Sequence, residues 1–99
     1  MKQENLSTGS KLKSNFRIAW TDLAWEGYLF WQQNDKKILK RINELLKDIK
    51  RNPFQGIGKP EPLKFELTGK WSRRINEEHR LVYQVNNHEL IIFQCRYHY

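Results

Sequence analysis

Sulfur chemistry is almost missing from this chain. Its one cysteine, Cys95, excludes an internal disulfide, which fits a reducing compartment such as the cytoplasm. The three histidines and the cysteine show no ligand spacing, so no metal site is legible. No apolar run approaches the length that spans a bilayer, and no membrane association is expected. The N-terminus carries charge without a hydrophobic segment, so a secretory signal is not expected either. Prolines number three, all between positions 53 and 62, and they mark one Gly- and Pro-rich surface loop. No repeat or low-complexity segment interrupts the chain. Residues 1–15 have little apolar content, with Leu6 and Leu12 their only large apolar residues besides the initiator Met. Such a stretch cannot bury enough surface to offset its ordering entropy, and it reads as a flexible, slightly basic extension.

What remains, residues 16–99, suffices for one domain with a single modest core. Four Trp, five Phe and four Tyr supply much of the apolar volume. Lys and Arg number 18 against 11 Asp and Glu, a net charge of +7 that favours a polyanionic partner.

Phe16-Arg17-Ile18-Ala19-Trp20 alternates as a strand. Thr21 and Asp22 offer an N-cap for a helix to about Gln33, with Ala24, Trp25, Tyr28 and Leu29 on one face. A second helix runs from near Asp35 to about Arg51, its Ile38, Ile42, Leu45, Leu46 and Ile49 following a 3.6-residue period. The two form a helical hairpin, and Pro53 ends the second. From Trp71 the pattern turns to strands at 71–75, 79–86 and 89–97. In the last, Phe93, Cys95 and Tyr97 alternate with Gln94, Arg96 and His98, which sets Arg96 and His98 on one side. The expected fold is α+β, in the order β-α-α-β-β-β: a mostly antiparallel sheet packed on a helical hairpin, its other face open.

A small basic chain that concentrates a rigid carboxylate, several arginines and a late histidine suggests phosphodiester chemistry without metal or cofactor. Cutting RNA that way requires a base for the 2′-OH, cations for the phosphorane charge and an acid for the leaving 5′-oxygen. His98 is the natural acid, since His exchanges protons near neutral pH; the alternative is a histidine capping the sheet end. Glu61 is the candidate base, because Pro60 and Pro62 restrict its backbone on both sides; the alternative is a solvated loop glutamate. Arg73, Arg74 and Arg80 are candidate phosphate ligands, guanidinium offering paired donors. Alternation sets Arg73 and Arg74 on opposite faces, so only one shares the site and the other reads as a solvated edge charge. Lys36, Lys37, Lys40, Arg41, Lys47, Lys50 and Arg51 lie opposite the apolar stripe of the second helix, either a solvated face or an RNA-backbone contact. Trp20, Trp25, Trp31 and Trp71 read as core or partner contacts rather than base-stacking platforms.

The motifs Tyr28-Leu29-Phe30-Trp31-Gln32, Lys40-Arg41-Ile42-Asn43-Glu44-Leu45, Gly58-Lys59-Pro60-Glu61-Pro62-Leu63-Lys64, Trp71-Ser72-Arg73-Arg74-Ile75, Glu77-Glu78-His79-Arg80-Leu81-Val82-Tyr83 and Cys95-Arg96-Tyr97-His98-Tyr99 stand here in one order. Together they resemble the YoeB (Txe) toxins of the RelE-like superfamily, mRNA interferases of type II toxin–antitoxin pairs. The resemblance covers about Phe16 to Tyr99. It implies a ribosome-dependent endoribonuclease that cuts mRNA in the A site, with Glu61 as general base, His98 as general acid, Arg80 stabilising the phosphate and Tyr99 as the terminal aromatic. Arg74 and Lys64 support them, and Arg73 and Arg96 complete the expected RNA contacts. Lys36, Lys40, Lys47 and Lys50 would dock on ribosomal RNA. The implied partners are a YefM-type (Phd/YefM) antitoxin, the ribosome with mRNA, a second copy of the chain when free, and operator DNA only through the antitoxin. The other function class left open is an inactive RNA- or antitoxin-binding module of the same fold.

Overall fold

The computed structural model describes residues 16–98, so the expected N-terminal extension and Tyr99 lie outside the described residues. Arg17–Trp20 forms β1. Helix α1, Asp22–Asn34, starts where the Thr21 hydroxyl accepts from the Ala24 N–H, satisfying one of the amides that a helix start leaves unpaired. Asp35 serves both helices. Its N–H donates to Trp31 O at the end of α1, and its carboxylate accepts from Lys37 and Ile38 N–H to start α2, Lys36–Arg51. The hairpin is as tight as the sequence predicts.

Helix α2 buries Ile42, Leu45, Leu46 and Ile49 as its period requires, each such side chain contributing about 1.5–3 kcal/mol by leaving water. Helix α1 departs from expectation. It buries Ala24, Gly27 and Trp31 and leaves Trp25 45% and Leu29 39% exposed. The reason is the glycine. A Cβ on Gly27 would lie 3.2 Å from Cys95 Sγ, so α1 turns its bare backbone to the end of the chain and rolls Trp25 outward. Trp25 packs instead in a surface cluster with Trp20 and Tyr28.

After a long loop come β2 (Glu61–Pro62), β3 (Trp71–Arg74), β4 (Arg80–Asn86) and β5 (Glu89–Gln94). They form a five-stranded sheet in the order β1-β5-β4-β3-β2. Only β1–β5 is parallel, and the remaining pairs are antiparallel. The α+β class holds, with one strand more than expected. Glu61 and Pro62, expected in a loop, pair with Ser72 and Trp71. Proline is tolerated there because β2 is an edge.

The end of the chain also differs. Strand β5 stops at Gln94 rather than 97, and residues 95–98 bend away from it. Val82 pairs with Gln94 while Tyr83 pairs with Ile92, so Phe93 is an extra residue in β5. A bulge of this kind breaks the two-residue period. Cys95 therefore joins Leu90 and Ile92 in the core, and the expected grouping of Cys95 with Phe93 and Tyr97 fails.

The two helices cover one face of the sheet, where Leu81, Tyr83, Leu90 and Ile92 meet Ala24, Trp31, Ile42, Leu45 and Ile49. Register assigns Glu61, Ser72, Val82 and Gln94 to a line across the opposite face, with Arg74 facing Arg80 beside it. That face is recessed rather than open at its centre, with Ser72 2% and Val82 3% exposed.

Candidate active site

Strand register opposes two arginines. Arg74 and Arg80 are direct cross-strand partners, an arrangement that destabilises a sheet unless an anion offsets it. Arg74 is exposed, and its backbone N–H donates to Gly58 O at 2.6 Å, which ties it to the loop before Glu61. Arg80 is 8% exposed. Its Nη1 donates to the carbonyls of Asn76 at 2.7 Å and His79 at 3.1 Å, fixing the guanidinium over the β3–β4 turn.

The backbone of Arg80 also receives the end of the chain. Its N–H donates to Tyr97 O at 3.0 Å, while Tyr97 N–H donates to His79 Nδ1 at 2.6 Å. Tyr97 adopts φ 70° to make this bend, a left-handed conformation that costs a non-glycine residue about 1–3 kcal/mol. The bend carries His98 to an exposed position beside the start of β4. There it lines a cavity of about 260 Å³ with Leu23, Glu26 and Gly27 of α1 and Gln94 of β5.

Glu61 lies exposed on β2 and lines a different cavity, about 420 Å³, with Lys64, Phe65 and Leu67. Phe65 holds φ 58° and stands 84% exposed. Arg74, Arg80 and the bend bearing His98 are thus drawn together, and Glu61 lies one strand beyond Arg74 on the same face. Glu61 and His98 do not share a cavity.

One expected ligand of phosphate is placed elsewhere. Arg73 is fully buried on the helix-facing side. Its Nη1 meets the Asp48 carboxylate at 2.5 Å and Ile57 O at 3.0 Å, and its Nη2 donates to Asn52 O and Gln55 O. Nε donates to Tyr83 Oη at 3.2 Å. Every nitrogen of the fork is engaged, the two terminal ones on α2 and the α2–β2 loop and Nε on β4, so Arg73 is structural. Neither is it the solvated edge charge that the sequence offered as its alternative. Gly56, at φ 129°, makes this approach possible, because a Cβ there would collide with the Asp48 carboxylate. Burial pushes the Asp48 carboxyl up, but hydrogen bonds from Arg73, Ile57 N–H and Arg51 outweigh it and hold the group below 3.8. Burial likewise raises the Tyr83 phenol, against the opposing pull of Arg73.

Arg96 lines the same cavity as His98, in the bend that follows the Phe93 bulge. Its guanidinium lies 3.5 Å from the centre of the Phe30 ring on α1, a cation–π contact. Cys95, which precedes it, has its thiol pushed up to about 12 by burial. Lys36, Lys40 and Lys47 are exposed on α2 and Lys50 is half-buried. No role for His79 was legible in the sequence, although it stands next to Arg80 in the segment Glu77–Tyr83. Among the described residues, no group of three or more His, Cys, Asp or Glu side chains could hold a metal ion.

The family model of the YoeB-like toxin of bacterial type II toxin–antitoxin systems matches residues 20–99. The chain belongs to the YoeB toxin family. Toxin YoeB of Synechocystis sp. is 64% identical over 83 residues, covering 84% of this chain and 96% of its own. The Staphylococcus aureus YoeB dimer superposes with a TM-score of 0.81 at 56% identity, over 86% of this chain and 99% of that one. A heterotetrameric YoeB–YefM toxin–antitoxin complex from the same organism gives 0.80 at 56% identity, over 85% and 98%. As a YoeB-family chain, the protein is a toxin of a toxin–antitoxin system, built as two helices on a five-stranded mixed sheet. No helix among its described residues is long and apolar enough to cross a membrane.

Proposed function

We propose that this toxin is a ribosome-dependent endoribonuclease that cuts mRNA in the A site by acid–base catalysis. The opposed pair Arg74 and Arg80 carries the reading, because like charges on direct cross-strand partners call for a shared anion. Glu61 takes the proton from the 2′-OH, whose oxygen attacks the neighbouring phosphorus. Arg80, supported by Arg74 and Lys64, offsets the charge that grows on the phosphorane. The bond to the 5′-oxygen breaks as His98 gives that oxygen a proton, leaving a 2′,3′-cyclic phosphate and a 5′-OH. Tyr99 would border the same phosphate. Because Glu61 and His98 line separate cavities, bound RNA must bridge the face between them, consistent with catalytic contacts that tighten only in the complex.

The toxin's partners follow from its relatives, one of them a YoeB dimer and one a YoeB–YefM complex. This chain would pair with itself when free and be neutralised by a YefM-type antitoxin. Single-turnover cleavage on programmed ribosomes tests the chemistry. His98→Ala and Glu61→Ala should each slow cleavage roughly 10²–10⁴-fold with folding intact. Near-wild-type rates would remove those residues from the mechanism, and an inert wild type would leave a binding module.

A further inference from the structure

We propose that His79 is a positioning residue for the reaction: through Nδ1 it holds the Tyr97 amide and so sets where His98 stands. The inference rests on the reading of His98 as the acid. The Tyr97 backbone is gripped at both ends by consecutive residues, N–H to His79 Nδ1 at 2.6 Å and C=O from Arg80 N–H at 3.0 Å. A nitrogen that accepts from an N–H carries no proton itself, so the imidazole is held as the Nε2–H tautomer. Nε2 faces the Glu78 carboxylate at 3.8 Å.

The ring has little freedom to move. It is 8% exposed, its edge meets Trp31 at 4.8 Å between centres, and its own backbone N–H donates to Asn76 Oδ1 at 2.7 Å. Trp31 in turn donates from Nε1 to Cys95 O at 2.9 Å. Two packed side chains, one from α1 and one from the β3–β4 turn, thus hold alternate residues of the bend. Tyr97 sits in a left-handed conformation it would not choose alone. Without the bond to Nδ1 the bend relaxes, and the next residue is His98.

Three variants separate positioning from packing. His79→Phe keeps a ring against Trp31 and removes the acceptor; His79→Asn keeps an acceptor near Nδ1 and removes the ring; His98→Gln is the control. At saturating programmed ribosomes, His79→Phe should cut about 10²-fold more slowly, the usual effect of displacing a reacting group by an ångström, with binding unchanged. His79→Asn should recover most of that loss even where it is the less stable protein. Amide hydrogen exchange gives the second readout: Tyr97 N–H should be protected in the wild type and in His79→Asn, and exchange freely in His79→Phe. Wild-type cleavage by His79→Phe beside a dead His98→Gln would overturn the role of His79 and leave the acid in place. Cleavage by His98→Gln would overturn the acid, and unprotected Tyr97 in the wild type would overturn the hold itself. Should His79→Phe fail to fold, His79→Asn and the wild-type exchange decide alone.

Discussion

Arg73 and Arg74 are neighbours with opposite surroundings. One is locked among carbonyls, a carboxylate and a phenol, the other stands exposed opposite Arg80. Removing Arg73 takes from Asp48 its shortest bond and from three loop carbonyls their donor, so Arg73→Met should lower stability by about 3–5 kcal/mol. Arg73→Lys should recover only part, since an ammonium cannot reproduce the fork. Urea unfolding measures both, and Arg74→Gln should move the midpoint little. The pair also sets an acid limit. The Asp48 carboxyl titrates below 3.8 when folded, so its stabilisation is complete above that value. It is lost as pH falls through the lower folded value. In Arg73→Met the fall in stability below about pH 4 should flatten. Alternation in Trp71-Ser72-Arg73-Arg74 was legible in the sequence. Which arginine faced the helices was not, because the Asn52–Ile57 loop that surrounds Arg73 leaves no pattern of its own.

Among the elements, α2 was the most legible, because its apolar residues recur with the helical period and its charges fill the remainder. Its exposed Lys36, Lys40 and Lys47 are free for the docking on ribosomal RNA expected of them, where bonds to phosphate position a protein without reading sequence. Replacing all three with Gln should weaken ribosome association and flatten its salt dependence by about one charge for each phosphate no longer neutralised. The cut position within the codon should stay unchanged, and normal binding by the triple variant would leave the face merely solvated. The other elements show why pattern reading ran out. On α1, a glycine displaced two large apolar residues from the buried face. On β5, a single inserted residue at Phe93 broke its alternation with Cys95, and the strand ended one residue later. Strand β2, with two residues, is too short to show any period at all. The site shows the same division: Arg74 and Arg80 lie on regular strands with Glu61 one strand beyond on the same face, whereas Arg96 and His98 lie past the bulge, in a bend that no period describes.

At the scale of the molecule, the first and last strands pair at one side of the sheet. Thr21, at the end of β1, bonds Ile92 O through its N–H and Phe93 O through its hydroxyl. Pairings that distant in sequence form late, and no local signal announces them. The parallel β1–β5 register, Arg17 to Glu89 through Trp20 to Ile92, also has a mechanical side. Parallel strands point the same way, so the chain leaves β1 toward Phe16 at one end of the pair and leaves β5 toward His98 at the other. A tension applied across those two residues draws the strands past each other and loads the whole ladder in shear. The β3–β4 hairpin, gripped at Trp71 and Tyr83, would instead open like a zipper, one rung at a time. Single-molecule pulling should therefore record a markedly higher rupture force from the first pair of handles than from the second. A proteolytic machine hauling on this toxin would meet its stiffest resistance along the strand next to its proposed catalytic histidine.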